Sequence, residues 1–284
     1  MTGSDPSPDL AMRIAAIAAD REHGASWLAQ EALRVASDCA EYSTARTADE
    51  FLAECALCAQ MLIDARPGMA PVRFWIERWR GGLERQANGI SDVVQLRKRA
   101  ARLASDLVAA ATQARTIAIR NALDRLISPE TIFTASYSET VIQACRLAWQ
   151  SGKLNRVLAA ESRSPDACRY GEQLARALEE AGVPVEVVPD AVITSRVSQA
   201  QRIWLGADSV FPDGSVLNGV PSRSLAVAGH QKGIPVDVIA EEAKRAGEGG
   251  PSESHAPPGF ELIPAEAITA VITEQGLWLP PRSN

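Results

Sequence analysis

Histidine is scarce: His23, His230 and His255 are the three in 284 residues, and they lie far apart. Metal sites need ligands at short, fixed spacings, so no metal centre is expected. The nucleotide and hydrolase signatures G-x-G-x-x-G, G-x-x-x-x-G-K-[ST] and G-x-S-x-G are also missing, and no cofactor is expected. No stretch approaches the roughly 18 apolar residues that cross a bilayer. The start, MTGSDPSPDL, has neither a basic nor an apolar targeting region, so a cytoplasmic protein without membrane contact is expected. Basic excess is lacking too, with 29 Lys and Arg against 35 Asp and Glu and a net charge of -6. Direct nucleic-acid binding rests on clustered cations and is not expected. The Arg97-Lys98-Arg99 run reads as a solvated helix face. Five cysteines, an odd number, do not form a disulfide framework. Cys55 and Cys58 make one C-x-x-C with no second pair at zinc-finger spacing, and they read as small buried residues on a helix.

What is present divides in two. Up to about residue 127 the chain is Ala/Leu/Arg/Glu-rich, with helical segments over 8–20, 24–42, 47–65 and 71–87. From Val93, the positions Leu96, Ala100, Leu103, Leu107, Ala110, Ala114 and Ile117 step by three and four, the stripe of one long helix. After Ser128-Pro129, short apolar runs at 131–135, 156–161, 183–188, 202–206 and 234–240 alternate with amphipathic helices. That alternation spells βαβ units and a parallel sheet. The expected fold is α/β: a helical N-terminal domain (1–127) followed by a Rossmann-like C-terminal domain (128–284) with a mostly parallel sheet.

Open sheets of this kind bind ligands beyond the carboxyl ends of their strands. The residues found there are Ser136, then Glu161 and Arg163, then Asp190, then Asp208. Ser136, Ser138 and Asp190 can equally be helix N-caps; Arg163 and Asp208 are not needed as caps. His230, near a helix end closed by Gly233, reads as a surface imidazole favoured by the helix dipole. The Gly/Pro/Ser-rich stretch 247–259 reads as a mobile loop, either a lid or a surface excursion.

Four ordered segments, TASYSETV, AAESRSPDACRYGEQLARALEEAGVPVEVVPDA, IWLGADSVFPDGSVLNGVPSRSLAVAGHQKGIPVDVIAE and GFELIPAEAITAVITEQG, cover residues 131–277. In them the chain resembles the translation initiation factor 2B alpha/beta/delta superfamily, which also contains methylthioribose-1-phosphate isomerase and ribose-1,5-bisphosphate isomerase. The resemblance implies dimerisation through the C-terminal domain and a sugar-phosphate or nucleotide site between the domains. In the isomerases a cysteine after the first strand and the aspartate of a G-A-D motif carry the proton transfers. Asp208 matches that aspartate, and Arg66 and Arg163 sit where the family has arginines.

The departures are equally specific. Ser136 stands in place of the cysteine, and a hydroxyl is too weak an acid to donate a proton near neutral pH without strong activation. His23-Gly24-Ala25 replaces Arg-Gly-Ala. Asn218-Gly219-Val220-Pro221-Ser222 replaces N-K-x-G-T, leaving Asn218 and Ser222 as the polar positions of that motif. A phosphate thereby loses two cationic contacts of roughly 1.5–3 kcal/mol each. The expected function is binding of a phosphorylated sugar or nucleotide by a non-catalytic or catalytically altered member that forms a homodimer. One alternative is a sugar-phosphate aldose–ketose isomerase using Asp208, with Ser136 or a water as the acid. Another is a regulatory scaffold without a small ligand.

Overall fold

The computed structural model describes residues 8–20, 23–165, 167–246 and 256–281. The proposed mobile loop at 247–259 lies outside them except for residues 256–259. The chain forms two compact units, Met1–Gln113 and Ala114–Asn284.

The first unit is helical: α1 (Pro8–Ala19), α2 (Ala25–Glu41), α3 (Ala48–Ala65), α4 (Ala70–Ala87) and the first turns of α5 (Val93–Leu123). Thr47 starts α3 through a capping box, in which its hydroxyl accepts the Glu50 N–H while the Glu50 carboxylate accepts the Thr47 N–H. The core comprises Leu28, Leu33, Phe51, Leu62, Ile76, Trp79, Leu83 and Leu96. Trp79 keeps its indole N–H satisfied on the Ala100 carbonyl at 3.0 Å. The stripe of α5 follows the expected one at Val93, Leu96, Ala100 and Ala114, which are buried, and departs from it at Ala104, Ala111 and Ala118, which are buried where Leu103, Leu107 and Ile117 are only half-buried and Ala110 is exposed. Of the basic run, Lys98 and Arg99 are exposed, while Arg97 reaches the Ala45 carbonyl at 2.6 Å.

The second unit takes in the end of α5 and then β1 (Glu130–Thr134), α6 (Glu139–Gln150), β2 (Leu154–Ala160), α7 (Tyr170–Glu179), β3 (Val185–Val188), the short α8 (Ile193–Arg196) and β4 (Arg202–Leu205). There follow β5 (Ser209–Val210), β6 (Val216–Gly219), α9 (Ser222–Gln231), β7 (Val236–Ile239), β8 (Phe260–Ile263), β9 (Ala270–Thr273) and β10 (Gly276–Trp278). Seven strands form one sheet in the order β10-β9-β7-β4-β1-β2-β3, parallel except for the β9–β10 hairpin. A small antiparallel sheet, β5-β6-β8, stands apart from it.

Alternate residues of the central strands feed two cores. Ile132 and Trp204 face α5, α6 and α7, while Phe133, Ile203 and Leu205 face the other side with Leu225 of α9. The tail from Gly259 needs no partner to bury its apolar residues: β8 joins the small sheet, and β9 lies inside the large one with Ala270–Thr273 fully covered. Only its far end leaves large apolar side chains exposed, at Leu277 and Leu279.

At the amino ends of the strands lies a buried ion cluster. Asp237, with no solvent exposure, accepts from Arg202 at 2.8 Å and Arg125 at 3.0 Å, and Arg202 also pairs with Glu130 at 2.8 Å. Burial works against the Arg202 charge, but the two carboxylates outweigh it and its pKa is raised. Two acids thus balance two guanidinium groups, tying the turn after α5 to β1, β4 and β7 at the strands' amino ends.

Candidate functional site

From β1 the chain steps outward through β2 and β3 on one side; from β4 it steps through β7 and β9 on the other. The neighbours β1 and β4 are therefore the topological switch point, where diverging connections leave a crevice at the strands' carboxyl ends. Ser136–Ser138 leave β1 there, and Gly206–Asp208 leave β4.

Close approaches hold these turns together. A Cβ on Gly206 would lie 2.5 Å from Ser138 Oγ, so the turn after β4 packs directly on the N-terminus of α6. Ser138 is the α6 N-cap, accepting the Val141 N–H at 3.4 Å. Ser136 is not a cap. It is buried, has a left-handed backbone (φ 65°), and donates its N–H to Ser162 Oγ at 2.7 Å. A Cβ on Gly219 would come within 2.2 Å of Ser136 Oγ, so the end of β6 lies against this hydroxyl.

Ser162, absent from the sequence-derived candidates, links the turns after β1 and β2. It is fully buried with φ 55°, and its hydroxyl accepts from Ser136 N while donating to the Ala160 carbonyl at 3.1 Å. Asp190 braces this loop from the end of β3: its two carboxylate oxygens accept the N–H groups of Ser162 and Arg163 at 2.8 and 2.9 Å. Asp190 thus holds backbone. The Arg163 guanidinium, more than half exposed, pairs with Glu161 at 3.0 Å, and Arg169 approaches the same carboxylate at 3.4 Å.

Asn218 and Ser222 engage each other: Asn218 Nδ2 donates to Ser222 Oγ at 3.0 Å, and that hydroxyl donates to the Gly219 carbonyl at 2.7 Å. Both are buried and fix the turn from β6 into α9. The N-terminus of α9 carries a carboxylate of the chain itself. Glu261, opposite Asn218 across β6 and β8, accepts the Arg223 N–H at 2.7 Å. Burial raises the Glu261 pKa and the Asp190 charge adds to the rise, although the Arg223 N–H and its positive charge oppose them. Asp208, half-buried, donates its N–H to the Leu217 carbonyl at 2.9 Å, next to Asn218.

His23 and Arg66 belong to the first unit, where both meet the end of α1. His23 Nδ1 lies 2.8 Å from an Asp20 carboxylate oxygen, and its ring stacks on Trp27 with centroids 3.7 Å apart. Arg66 donates Nε to the Ile17 carbonyl at 2.9 Å and a second N–H to the Asp20 carbonyl. Its guanidinium satisfies carbonyls left open at a helix C-terminus.

The turns after β1 and β4 thus carry a hydroxyl (Ser136) and a carboxylate (Asp208), and exposed guanidinium groups stand after β2 (Arg163) and at the starts of α7 (Arg169) and α9 (Arg223). Such a set can hydrogen-bond a polyol and attract an anion. Among the described residues, no group of three or more His, Cys, Asp or Glu side chains could hold a metal ion, and no helix is long and apolar enough to cross a membrane.

The model of the Initiation factor 2 subunit family matches residues 21–248. A ribose 1,5-bisphosphate isomerase of Haloterrigena turkmenica is 27% identical over 85% of this chain and 72% of its own. A putative translation initiation factor eIF-2B subunit 2-like protein of Pyrococcus horikoshii is 34% identical over 54% of this chain and 59% of its own. The crystal structure of a Pyrococcus horikoshii translation initiation factor eIF-2B superposes with a TM-score of 0.81, covering 97% of this chain and 98% of that one at 24% identity.

Proposed function

The chain belongs to the Initiation factor 2 subunit family, and on that premise we propose that its second unit binds a phosphorylated sugar at the β1/β4 switch point without interconverting it. The observation that carries this reading is Ser136. It occupies the switch point, buried and left-handed with its hydroxyl against Gly219, where the family resemblance implies the isomerases' cysteine. A hydroxyl there can hydrogen-bond a sugar oxygen but is a poor proton donor near neutral pH. Asp208 supplies a carboxylate for the polyol, and the Arg163, Arg169 and Arg223 side chains supply positive charge for the phosphate.

A second reading is favoured by the 27% identity with the ribose 1,5-bisphosphate isomerase over most of both chains. In it Ser136 or a water protonates the ring oxygen O4 as the C1–O4 bond breaks, Asp208 carries the C2 proton to C1, and the proton released by O2 as it becomes the ketone returns to the acid; O1 keeps its phosphate throughout.

Calorimetric titration with ribose 1,5-bisphosphate, followed by NMR of the same mixture, separates these readings. Saturable binding with an unchanged sugar spectrum is the expected result. Conversion to the ketose near ~1 s⁻¹, the low end of ordinary enzymes, overturns it in favour of the isomerase. No binding of this or other sugar phosphates or nucleotides leaves a scaffold role. Pairing of two copies through the second unit belongs to the same proposal, supported by the exposed Leu277 and Leu279 beside edge strand β10. Sedimentation that finds only the 30.3 kDa species at micromolar concentration refutes it.

A further inference from the structure

An acidic or amide side chain precedes glycine at three places in the chain: Asn88-Gly89, Asp213-Gly214 and Asn218-Gly219. Glycine has no Cβ to shield its backbone nitrogen, so that nitrogen can attack the carbonyl carbon of the side chain before it. The fold treats the three pairs differently.

At Asn218-Gly219 the chain is fixed. Asn218 is buried in β6, paired with Glu261 of β8, and its Nδ2 donates to Ser222 Oγ at 3.0 Å. Gly219 is pressed against Ser136, where a Cβ would meet the hydroxyl at 2.2 Å. Rotating the Gly219 nitrogen onto the Asn218 side chain requires both the strand pairing and the turn to open. Asp213 is held as well, because its Oδ1 accepts the Ser215 N–H at 2.9 Å and the Ser215 hydroxyl at 2.6 Å. Behind it Gly214 packs on Pro280, whose Cβ would lie 2.7 Å from an added Cβ.

Asn88-Gly89 is the open case. Both residues are exposed, at the tip of the turn that joins α4 to α5. With Asn88 at φ -58°, ψ 119° and Gly89 at φ 77°, residues 87–90 form a type II turn, closed by the Ile90 N–H on the Ala87 carbonyl at 3.0 Å. That bond spans the pair and uses neither the Asn88 side chain nor the Gly89 nitrogen. A Cβ on Gly89 would meet nothing within 4 Å, so no neighbouring element obstructs the attack.

We propose that Asn88 is a site of spontaneous modification, at which attack by the Gly89 backbone nitrogen converts the asparagine to isoaspartate and aspartate.

Hydroxide removes the Gly89 amide proton, and the nitrogen forms a bond to Asn88 Cγ. The Cγ–Nδ2 bond breaks, Nδ2 takes a proton from water and leaves as ammonia, and a five-membered succinimide remains. Water then opens the ring. Addition at the side-chain carbonyl gives aspartate; addition at the backbone carbonyl gives isoaspartate, with the main chain running through Cβ. One asparagine and one water give one acid and one ammonia, and no electrons change hands. Either product adds one negative charge to the net -6. The charge arises just after the C-terminus of α4, where the helix dipole disfavours an anion. Isoaspartate also lengthens the main chain by one carbon, so the modification acts on the junction of α4 with α5.

Ageing native full-length protein in heavy-oxygen water at mildly alkaline pH, then digesting with trypsin in ordinary water, reads the sites separately. Asn88 lies in residues 86–97, whereas Asp213 and Asn218 lie in residues 203–223. The expected result is heavy oxygen at Asn88, split between isoaspartyl and aspartyl forms, with label in 203–223 at least about tenfold slower because buried Asn218 reacts only from opened chains. In urea-unfolded protein the two peptides should acquire label at similar rates. Asn88→Gln keeps an exposed amide but needs a larger ring; it should leave 86–97 unlabelled without changing the melting temperature. The inference is overturned if native 86–97 stays unlabelled, or if 203–223 acquires label as fast in the native protein. A difference between the peptides that persists in urea overturns it too, since the fold would then not be its cause.

Discussion

The end of β6 lies directly against the turn after β1 at Gly219 and Ser136, and replacing Gly219 by Ala tests that contact. The added Cβ would meet Ser136 Oγ at 2.2 Å and Ser136 Cβ at 3.1 Å, against about 3.5–4.0 Å for unstrained carbon contacts. Rotating the hydroxyl away relieves only the first of these. Ser136 cannot step back, because its N–H is bound to Ser162 Oγ at 2.7 Å. Gly219→Ala should therefore cost about 1–3 kcal/mol, the ordinary range for overpacking. Ser136→Gly removes both clashing atoms and frees a backbone at φ 65°. Its gain of about 1–2 kcal/mol from left-handed strain is largely offset by unfolded-state entropy of about 0.5–1 kcal/mol and by lost packing. Ser136→Gly alone should be nearly neutral, and the double variant should recover most of the Gly219→Ala loss. Urea unfolding of the four proteins gives the cycle, with a coupling of about 1–3 kcal/mol expected. Additivity within about 0.5 kcal/mol would refute the convergence of the β1 and β6 turns.

Asp237→Asn removes the buried charge shared by Arg125 and Arg202 and should cost about 3–5 kcal/mol in urea unfolding; a loss below about 1 kcal/mol counts against the ion cluster as a structural tie. Because the folded state raises the Glu261 pKa, it binds that proton more tightly than the unfolded chain. The resulting stability is full below the unfolded pKa and is lost as pH rises through the folded one. Glu261→Gln, which keeps an oxygen for the Arg223 N–H, should match wild type in acid and exceed it at neutral pH; a greater advantage in acid contradicts the shift. For the proposed sugar site, a sugar phosphate at 100 times its dissociation constant should stabilise the native protein by about 2.7 kcal/mol, shifting melting by several degrees. Asp208→Asn should leave the unliganded melting temperature within about one degree yet remove most of that shift; an intact ligand shift with a lowered unliganded temperature makes Asp208 a turn residue.

The helical half and the parallel strands were legible because their signals are local and periodic. Thr47 and Glu50 announce the start of α3, and the apolar runs leading to Ser136 and Asp208 are buried strands at the expected places. The small sheet was not legible. β5 has only Ser209 and Val210, and β6 reads as a loop because Asn218 and Gly219 end it. Its strand character comes from pairing with β8, more than forty positions later in the chain. Likewise, the buried face of α5 follows Ala104, Ala111 and Ala118, small residues whose burial depends on neighbouring elements more than on their own hydrophobicity.

The candidate site was legible in position more than in the division of labour. Strand ends attract polar residues for two reasons, to meet ligands and to satisfy the backbone of the turns themselves, and residue type does not separate the two. Asp190 is the clearest case. An aspartate beyond a strand suggests a ligand or a cap, yet both its oxygens are spent on Ser162 and Arg163. Asn218 and Ser222 are similarly bound to each other, while Ser162, unremarkable in sequence, joins two loops. This distribution has an electrostatic consequence. Asp190 and Glu261 interact as like charges, and Glu261 occupies the α9 N-terminus, which would otherwise favour an anion. A phosphate approaching α9 must either displace that carboxylate or bind where it is protonated. Binding there should therefore strengthen as pH falls toward the raised Glu261 pKa, and that dependence should vanish in Glu261→Gln. A phosphate held by the exposed arginines away from α9 would show neither effect.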